Sequence, residues 1–356
     1  MSVSPFDHPI LSSLLGDEEV AAFFSWDPEL AALLRFEAGL AVAEAAEGVI
    51  PQRAGKSIAE LCAAFVPDMV ALREGAARDG LAAPELVRQL RQAAGPEFGS
   101  YVHYGATSQD MIDSGLMMRL SGVVAILIDR LASVADDLAK LRRRFGDHGL
   151  MGRTRMQAAV PIRVGDRIGA WREPLLRHRS RLEAGREGLL VVQFGGAAGT
   201  LDQLGPKAGA VRQRLARELG LGDAPQWHSQ RDRLAAFAGD VSLITGSLGK
   251  LGHDIALLAQ GGDEISLAAG GTSSAMPHKQ NPVRAEILVS LAGFNATLVS
   301  AMHRALDHEQ ERSGSAWTLE WMVLPQMAVA AAAALAQAGR LVGEVRAFGQ
   351  IQTGAP

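Results

Sequence analysis

No proline interrupts residues 110–144, and Ile112, Leu116, Leu120, Val123, Leu127, Leu131, Val134, Leu138 and Leu141 recur there at steps of three and four. That spacing sets the apolar side chains on one face of a helix of about nine or ten turns. A helix of this length cannot bury its stripe against itself, so it requires neighbours of similar length. Comparable segments run over residues 161–188, 232–264 and 282–306. A last one over 317–348 contains Pro325, which predicts a kink. Packed side by side, they predict an all-α fold with an elongated helical bundle over residues 108–350.

Composition agrees, because hydrophobic residues make up 48% of the chain and aromatic residues only 5%. The apolar content is therefore mostly Ala, Leu, Val and Ile, which suits long packed helices better than sheets. Asp27, Pro28 and Glu29 read as an N-cap, a proline at the first helical position and an acidic first turn, opening a helix that reaches about Glu47. Pro51, Pro67, Pro84 and Pro96 then break the pattern, so residues 1–107 read as a small N-terminal helical domain and 351–356 as a tail.

The formal net charge of −4, with basic residues spread along the chain, leaves no electrostatic footprint for nucleic acid. Cys62 is the only cysteine, which excludes an internal disulfide and a cysteine-based metal cluster, and fits a reducing cytoplasm. The first residues lack the basic and apolar regions of a signal peptide. The most apolar run, 327–336, is short and Ala-rich and reads as a buried helix, so no membrane partner is expected. The histidines show no paired ligand spacing with an acidic partner, so neither a metal nor another cofactor is expected. Gly246-Ser247-Leu248-Gly249-Lys250 lacks the earlier glycine and following hydroxyl of a phosphate loop and reads as mid-helix.

Chemistry concentrates in Gly270-Gly271-Thr272-Ser273-Ser274-Ala275-Met276-Pro277-His278-Lys279-Gln280-Asn281-Pro282. Two glycines give the backbone freedom, paired hydroxyls follow, and a lysine and an amide stand just ahead of a helix start that attracts anions. Two further polar blocks lie earlier, His103-Tyr104-Gly105-Ala106-Thr107-Ser108-Gln109-Asp110 and Gly152-Arg153-Thr154-Arg155-Met156-Gln157. Alone, the first is a helix cap and the second a polar turn. Together and in this order, the three blocks resemble those of the fumarase/aspartase superfamily, with Thr272 in place of a glycine in the third.

The resemblance implies an elongated bundle whose C-terminal domain is missing or much shortened. It also implies a homotetramer in which three subunits build each site, acting on a small dicarboxylate or tricarboxylate. Ser273 would transfer the proton, while Lys279 and Asn281 would hold the carboxylate and stabilise an aci-carboxylate intermediate. The implied substrate-binding set is His103, Thr107, Ser108, Gln109, Arg153, Thr154, Arg155, Gln157, Ser274, Met276, Glu286 and Arg312.

One departure bears on the reaction. Relatives that expel hydroxide or an amine carry a histidine acid after the threonine of the second block. Arg155 stands there instead, and Ala158 cannot transfer a proton. A leaving carboxylate, with a pKa near about 4, needs no such acid. Gln193-Phe194-Gly195-Gly196-Ala197-Ala198-Gly199-Thr200-Leu201 and Gln226-Trp227-His228-Ser229-Gln230-Arg231-Asp232 are similar to the branch that closes 3-carboxy-cis,cis-muconate to a lactone. That activity, extending to 3-sulfomuconate, is the expected function. An adenylosuccinate- or argininosuccinate-type lyase would need His103, His228 or His278 as the acid, and a silent scaffold would not need Ser273, Lys279 and Asn281. In relatives an acidic residue seven positions after the loop lysine orients the histidine, so Glu286 is expected to pair with Arg155.

Overall fold

The computed structural model describes residues 4–268, 271–272, 276 and 280–350. Two short helices, α1 (Ser12–Leu15) and α2 (Glu18–Ala22), lead into α3 (Trp26–Ala46), α4 (Gln52–Ala64), α5 (Met69–Asp79) and α6 (Ala83–Phe98). The long α7 (Ser108–Phe145) is followed by a hairpin of β1 (Gly149–Thr154) and β2 (Gln157–Arg163), then α8 (Val164–Leu189), α9 (Ala208–Leu219) and α10 (Asp232–Gln260). After β3 (Ile265–Leu267), β4 (Gly271–Thr272) and β5 (Gln280–Asn281) come α11 (Val283–Arg304), α12 (Gly314–Gly343) and β6 (Val345–Phe348).

Helices α7, α8, α10, α11 and α12 form the bundle, and the periodic stripe of α7 lies in its core: Leu120, Val123, Leu127, Leu131 and Leu138 are buried. Of the run 327–336, residues 327–335 are buried within α12 and Ala336 is half-buried. By length and composition α7, α11 and α12 could each cross a membrane, but the most apolar stretches of α7 and α12 are 67% buried in the bundle, whereas that of α11 is only 28% buried. Helices α10 and α11 approach closely through glycine. A Cβ at Gly249 would stand 2.5 Å from the Ala292 Cβ, and one at Gly252 would stand 2.5 Å from the Ala285 carbonyl oxygen. Gly249 is thus a packing residue in the middle of α10.

A second core unites α3 to α6. It also takes in Val192, Phe194, Leu201 and Leu204, with Val211, Leu215 and Leu219 of α9, so the N-terminal helices close over a segment far along the chain. Several boundaries differ from expectation. Ser25 rather than Asp27 occupies the N-cap of α3. Residues 161–163 belong to β2, where Pro161 is tolerated because a two-stranded hairpin has free edges, and Pro174 sits within α8. Helix α12 continues on both sides of Pro325.

Candidate active site

Helix α7 fixes the separation of the predicted blocks. At 1.5 Å per residue it spans about 57 Å, with the first block at its N-terminus and the hairpin of the second block directly after its C-terminus.

At the first end, Thr107 is the N-cap and Asp110, at the third helical position, accepts the Thr107 backbone N–H at 3.0 Å. Asp110 is fully buried and gathers more donors: the Gln193 amide at 3.1 Å, the N–H groups of Gly195 and Gly196 at 2.9 Å each, and His228 Nε2 at 2.8 Å. Gly196 has φ +68°, and a Cβ there would meet the Gly105 carbonyl oxygen at 2.7 Å, so the 195–199 loop seats against the first block only as glycine.

One turn on, buried Asp113 receives Arg231 through Nη1 at 2.6 Å and Nη2 at 3.0 Å, and Trp317 Nε1 at 3.1 Å. Arg231 also donates to Glu320 through Nε at 2.9 Å and Nη2 at 2.6 Å. Burial opposes the Arg231 charge, but Asp113 and Glu320 outweigh it and hold the guanidinium above its usual range. Gln109, fully buried, donates to Asp113 at 3.1 Å and to the His228 carbonyl at 2.9 Å, while its own oxygen accepts Arg312 Nε at 2.9 Å. Arg312 also donates to the Ala197 carbonyl at 3.2 Å. Gln109 and Arg312, far apart in sequence, thus meet, with half-buried Ser108 beside them in the chain. His103, four residues before the cap, takes φ +58° and places Nδ1 2.5 Å from Glu37 Oε1.

At the other end, Arg155 and Met156 form the hairpin turn between paired Thr154 and Gln157. Both have positive φ, +49° and +67°, the sign that a two-residue type I′ turn requires and that neither residue favours. Arg153 pairs with Glu264 at 2.7 Å. Arg153, Arg155, Arg167 and Lys250 line a cavity of about 690 Å3 together with Asp254, Asp263 and Glu264, so its charges are mixed, with Arg153 paired to Glu264 and both Arg167 and Lys250 paired to Asp254. Asn281 is half-buried in β5, with Gly271 as its strand partner, and Met276 is exposed. Ser273, Ser274 and Lys279 lie outside the described residues.

The expected pairing of Arg155 with Glu286 is not present within the chain. Both side chains are exposed, and no ion pair among the described residues joins them. Arg155 belongs to the hairpin turn, while Glu286 belongs to the solvated first turn of α11, where its charge suits the helix dipole.

Sequence reasoning missed Glu37, Asp113, Arg231 and Glu320 as members of the site. For two of them the signal was legible: Asp113 and Glu320 fall on the buried stripes of α7 and α12, where a charge requires a buried partner.

A family model described as Lyase matches residues 26–295. The 3-carboxy-cis,cis-muconate cycloisomerase of Pseudomonas aeruginosa is 45% identical over 89% of this chain and 71% of its own length. The enzyme of that name from Pseudomonas putida is 41% identical over 88% of this chain and 76% of its own. The crystal structure of the Pseudomonas putida 3-carboxy-cis,cis-muconate lactonizing enzyme superposes with a TM-score of 0.88 at 38% identity, covering 95% of this chain and 77% of that one. With the three blocks in order on an elongated helical bundle, the chain belongs to this lyase family of the fumarase/aspartase superfamily.

Proposed function

We propose that the chain is a cycloisomerase that closes 3-carboxy-cis,cis-muconate to 4-carboxymuconolactone. The observation that carries this reading is Arg155, at the position where relatives expelling poor leaving groups hold a histidine, set in the turn of the β1–β2 hairpin at the rim of that cavity of mixed charge. In the closing direction a substrate carboxylate oxygen adds to the β-carbon and a proton is delivered to the α-carbon, so the atoms balance without a co-reactant. In reverse the leaving group is a carboxylate, which needs no acid. The identity to two enzymes named for this reaction supports the same assignment.

In this reading Ser273 carries the proton, and Lys279 and Asn281 hold the carboxylate whose α-carbon changes protonation. Their electrostatic stabilisation of the aci-carboxylate is the largest contribution. The site is shared between subunits of a homotetramer. Two observations support this: α7 holds the first and second blocks about 57 Å apart, and the apolar α11 is largely uncovered within one chain. Action in the cytoplasm on 3-carboxymuconate and, by tolerance at the same site, on 3-sulfomuconate completes the proposal.

The test is ultraviolet absorbance of purified protein mixed with 3-carboxy-cis,cis-muconate or with adenylosuccinate. Loss of the muconate band, unaffected by chelator and without change in adenylosuccinate, is the expected result. Turnover of adenylosuccinate alone would replace the proposal with the lyase reading.

A further inference from the structure

A cavity of about 260 Å3 lies where α3, the start of α6, α7 and α12 meet, with Glu320, the partner of Arg231, in its wall. Leu33, Ile112, Leu116 and Trp321 give it apolar walls. An apolar cavity of roughly 150 Å3 already accepts benzene, so this one holds a single substituted ring.

Its polar groups are of mixed sign. Arg119, with a side chain only 10% exposed, donates to the Phe23 carbonyl at 3.1 Å and lies 3.8 Å from the Glu29 carboxylate. The Arg119 Nε also donates to the Gly115 carbonyl at 3.4 Å, and a guanidinium has five donor hydrogens, so Nη2 keeps donor capacity that these contacts do not use. Pro325 also lines the cavity, and because it has no N–H the Trp321 carbonyl lacks its usual helical donor. Glu320 lines the cavity too, its charge balanced by Arg231 through one bond to each carboxylate oxygen. The cavity is therefore lined by one cation, Arg119, by the carboxylates of Glu29 and Glu320, and by Trp321, whose carbonyl Pro325 leaves without its helical donor. Glu29 opposes a carboxylate in the cavity, and Arg119 opposes an ammonium. A hydroxyl, which both donates and accepts, meets neither penalty.

We propose that this cavity is a second ligand site, separate from the three blocks, for a small neutral hydroxylated aromatic ring. Occupancy is coupled to the first block. Trp321 packs edge-on against Trp317 with ring centres 4.7 Å apart, and Trp317 donates to Asp113.

The test is calorimetric titration of the full chain with phenol, benzoate and benzylamine, with tryptophan fluorescence as a second readout. Phenol is expected to saturate one site per chain and to shift the fluorescence, while benzoate and benzylamine bind at least roughly tenfold more weakly. Ala82→Phe, which fills the cavity mouth, should abolish phenol binding. Pro325→Ala, which returns a helical donor to the Trp321 carbonyl, should weaken phenol about tenfold, the loss of one hydrogen bond, with the circular dichroism unchanged. Absence of saturable phenol binding, equal binding of the three probes, or full phenol affinity in both variants would overturn the proposal.

Discussion

His103 Nδ1 lies 2.5 Å from Glu37 Oε1, with the two side chains 9% and 0% exposed. Burial lowers the His103 pKa, but the Glu37 charge and hydrogen bond outweigh it, so the imidazolium persists above its ordinary range. The raised value means that the pair's contribution to stability is complete below about pH 6.5 and is lost as pH rises through the folded-state pKa. Glu37→Gln should lower the His103 pKa, read by proton NMR of the imidazole, and flatten that pH dependence. An unchanged His103 titration in the variant would mean that Glu37 does not hold the proton there.

Glu44 is fully buried, and neither carboxylate oxygen has a hydrogen-bond partner among the described residues. Burial, and then the neighbouring Glu37, push its pKa up to about 9 from an ordinary 4.5. The folded chain thus keeps a proton that the unfolded chain gives up, and stability falls as pH rises between those two values. Glu44→Gln should raise the thermal midpoint at pH 8 by roughly 2 °C or more and leave it unchanged at pH 4. Equal effects at both pH values would assign the change to packing instead.

The Asp113–Arg231–Glu320 triad is buried throughout, with Arg231 between two carboxylates. Removing the cation leaves both acids facing each other without water. Arg231→Met is expected to cost about 3–5 kcal/mol, measured by urea unfolding, and to loosen Gln109 through Asp113. A cost below about 1 kcal/mol would show that the acids simply take up protons.

Ser273→Ala should lower turnover of 3-carboxymuconate by about a hundredfold or more, the scale of a lost proton-transfer group, with less effect on binding. If Ser274→Ala is the damaging change and Ser273→Ala is mild, the hydroxyl assignment moves by one residue.

Chains inactivated at Thr107 and chains inactivated at Ser273 should regain activity when dissociated and reassembled together, because some mixed sites receive only intact blocks. Sedimentation at assay concentration supplies the control. A fully active monomer, or mixed tetramers without restored activity, would refute shared sites.

The bundle was legible because a three- and four-residue repeat sustained over many turns has one physical solution. The hairpin was not. Residues 157–161 of β2 are all exposed, so no alternation marks a strand, and the turn uses Arg155 and Met156 where Asn and Gly would have announced it. In the site, the helix-start chemistry of Thr107, Gln109 and Asp110 was readable from local order. The link from Gln109 to Arg312 came only through family resemblance, and Arg231 joined the network only once the chain was folded, because these partners lie more than a hundred residues away. Arg155 and Glu286 do not pair within one chain, because matching positions in a family do not fix which copy of the chain supplies each residue.

The length of α7 carries a genetic consequence. One chain delivers its first and second blocks to places about 57 Å apart, so under the shared-site reading it serves more than one reaction centre. A cell making intact chains together with chains damaged at both ends would lose more than the damaged fraction of its activity, because each faulty copy spoils centres that its sound neighbours help to build. Such an allele would act dominantly, and the shortfall would exceed its dosage in every mixture.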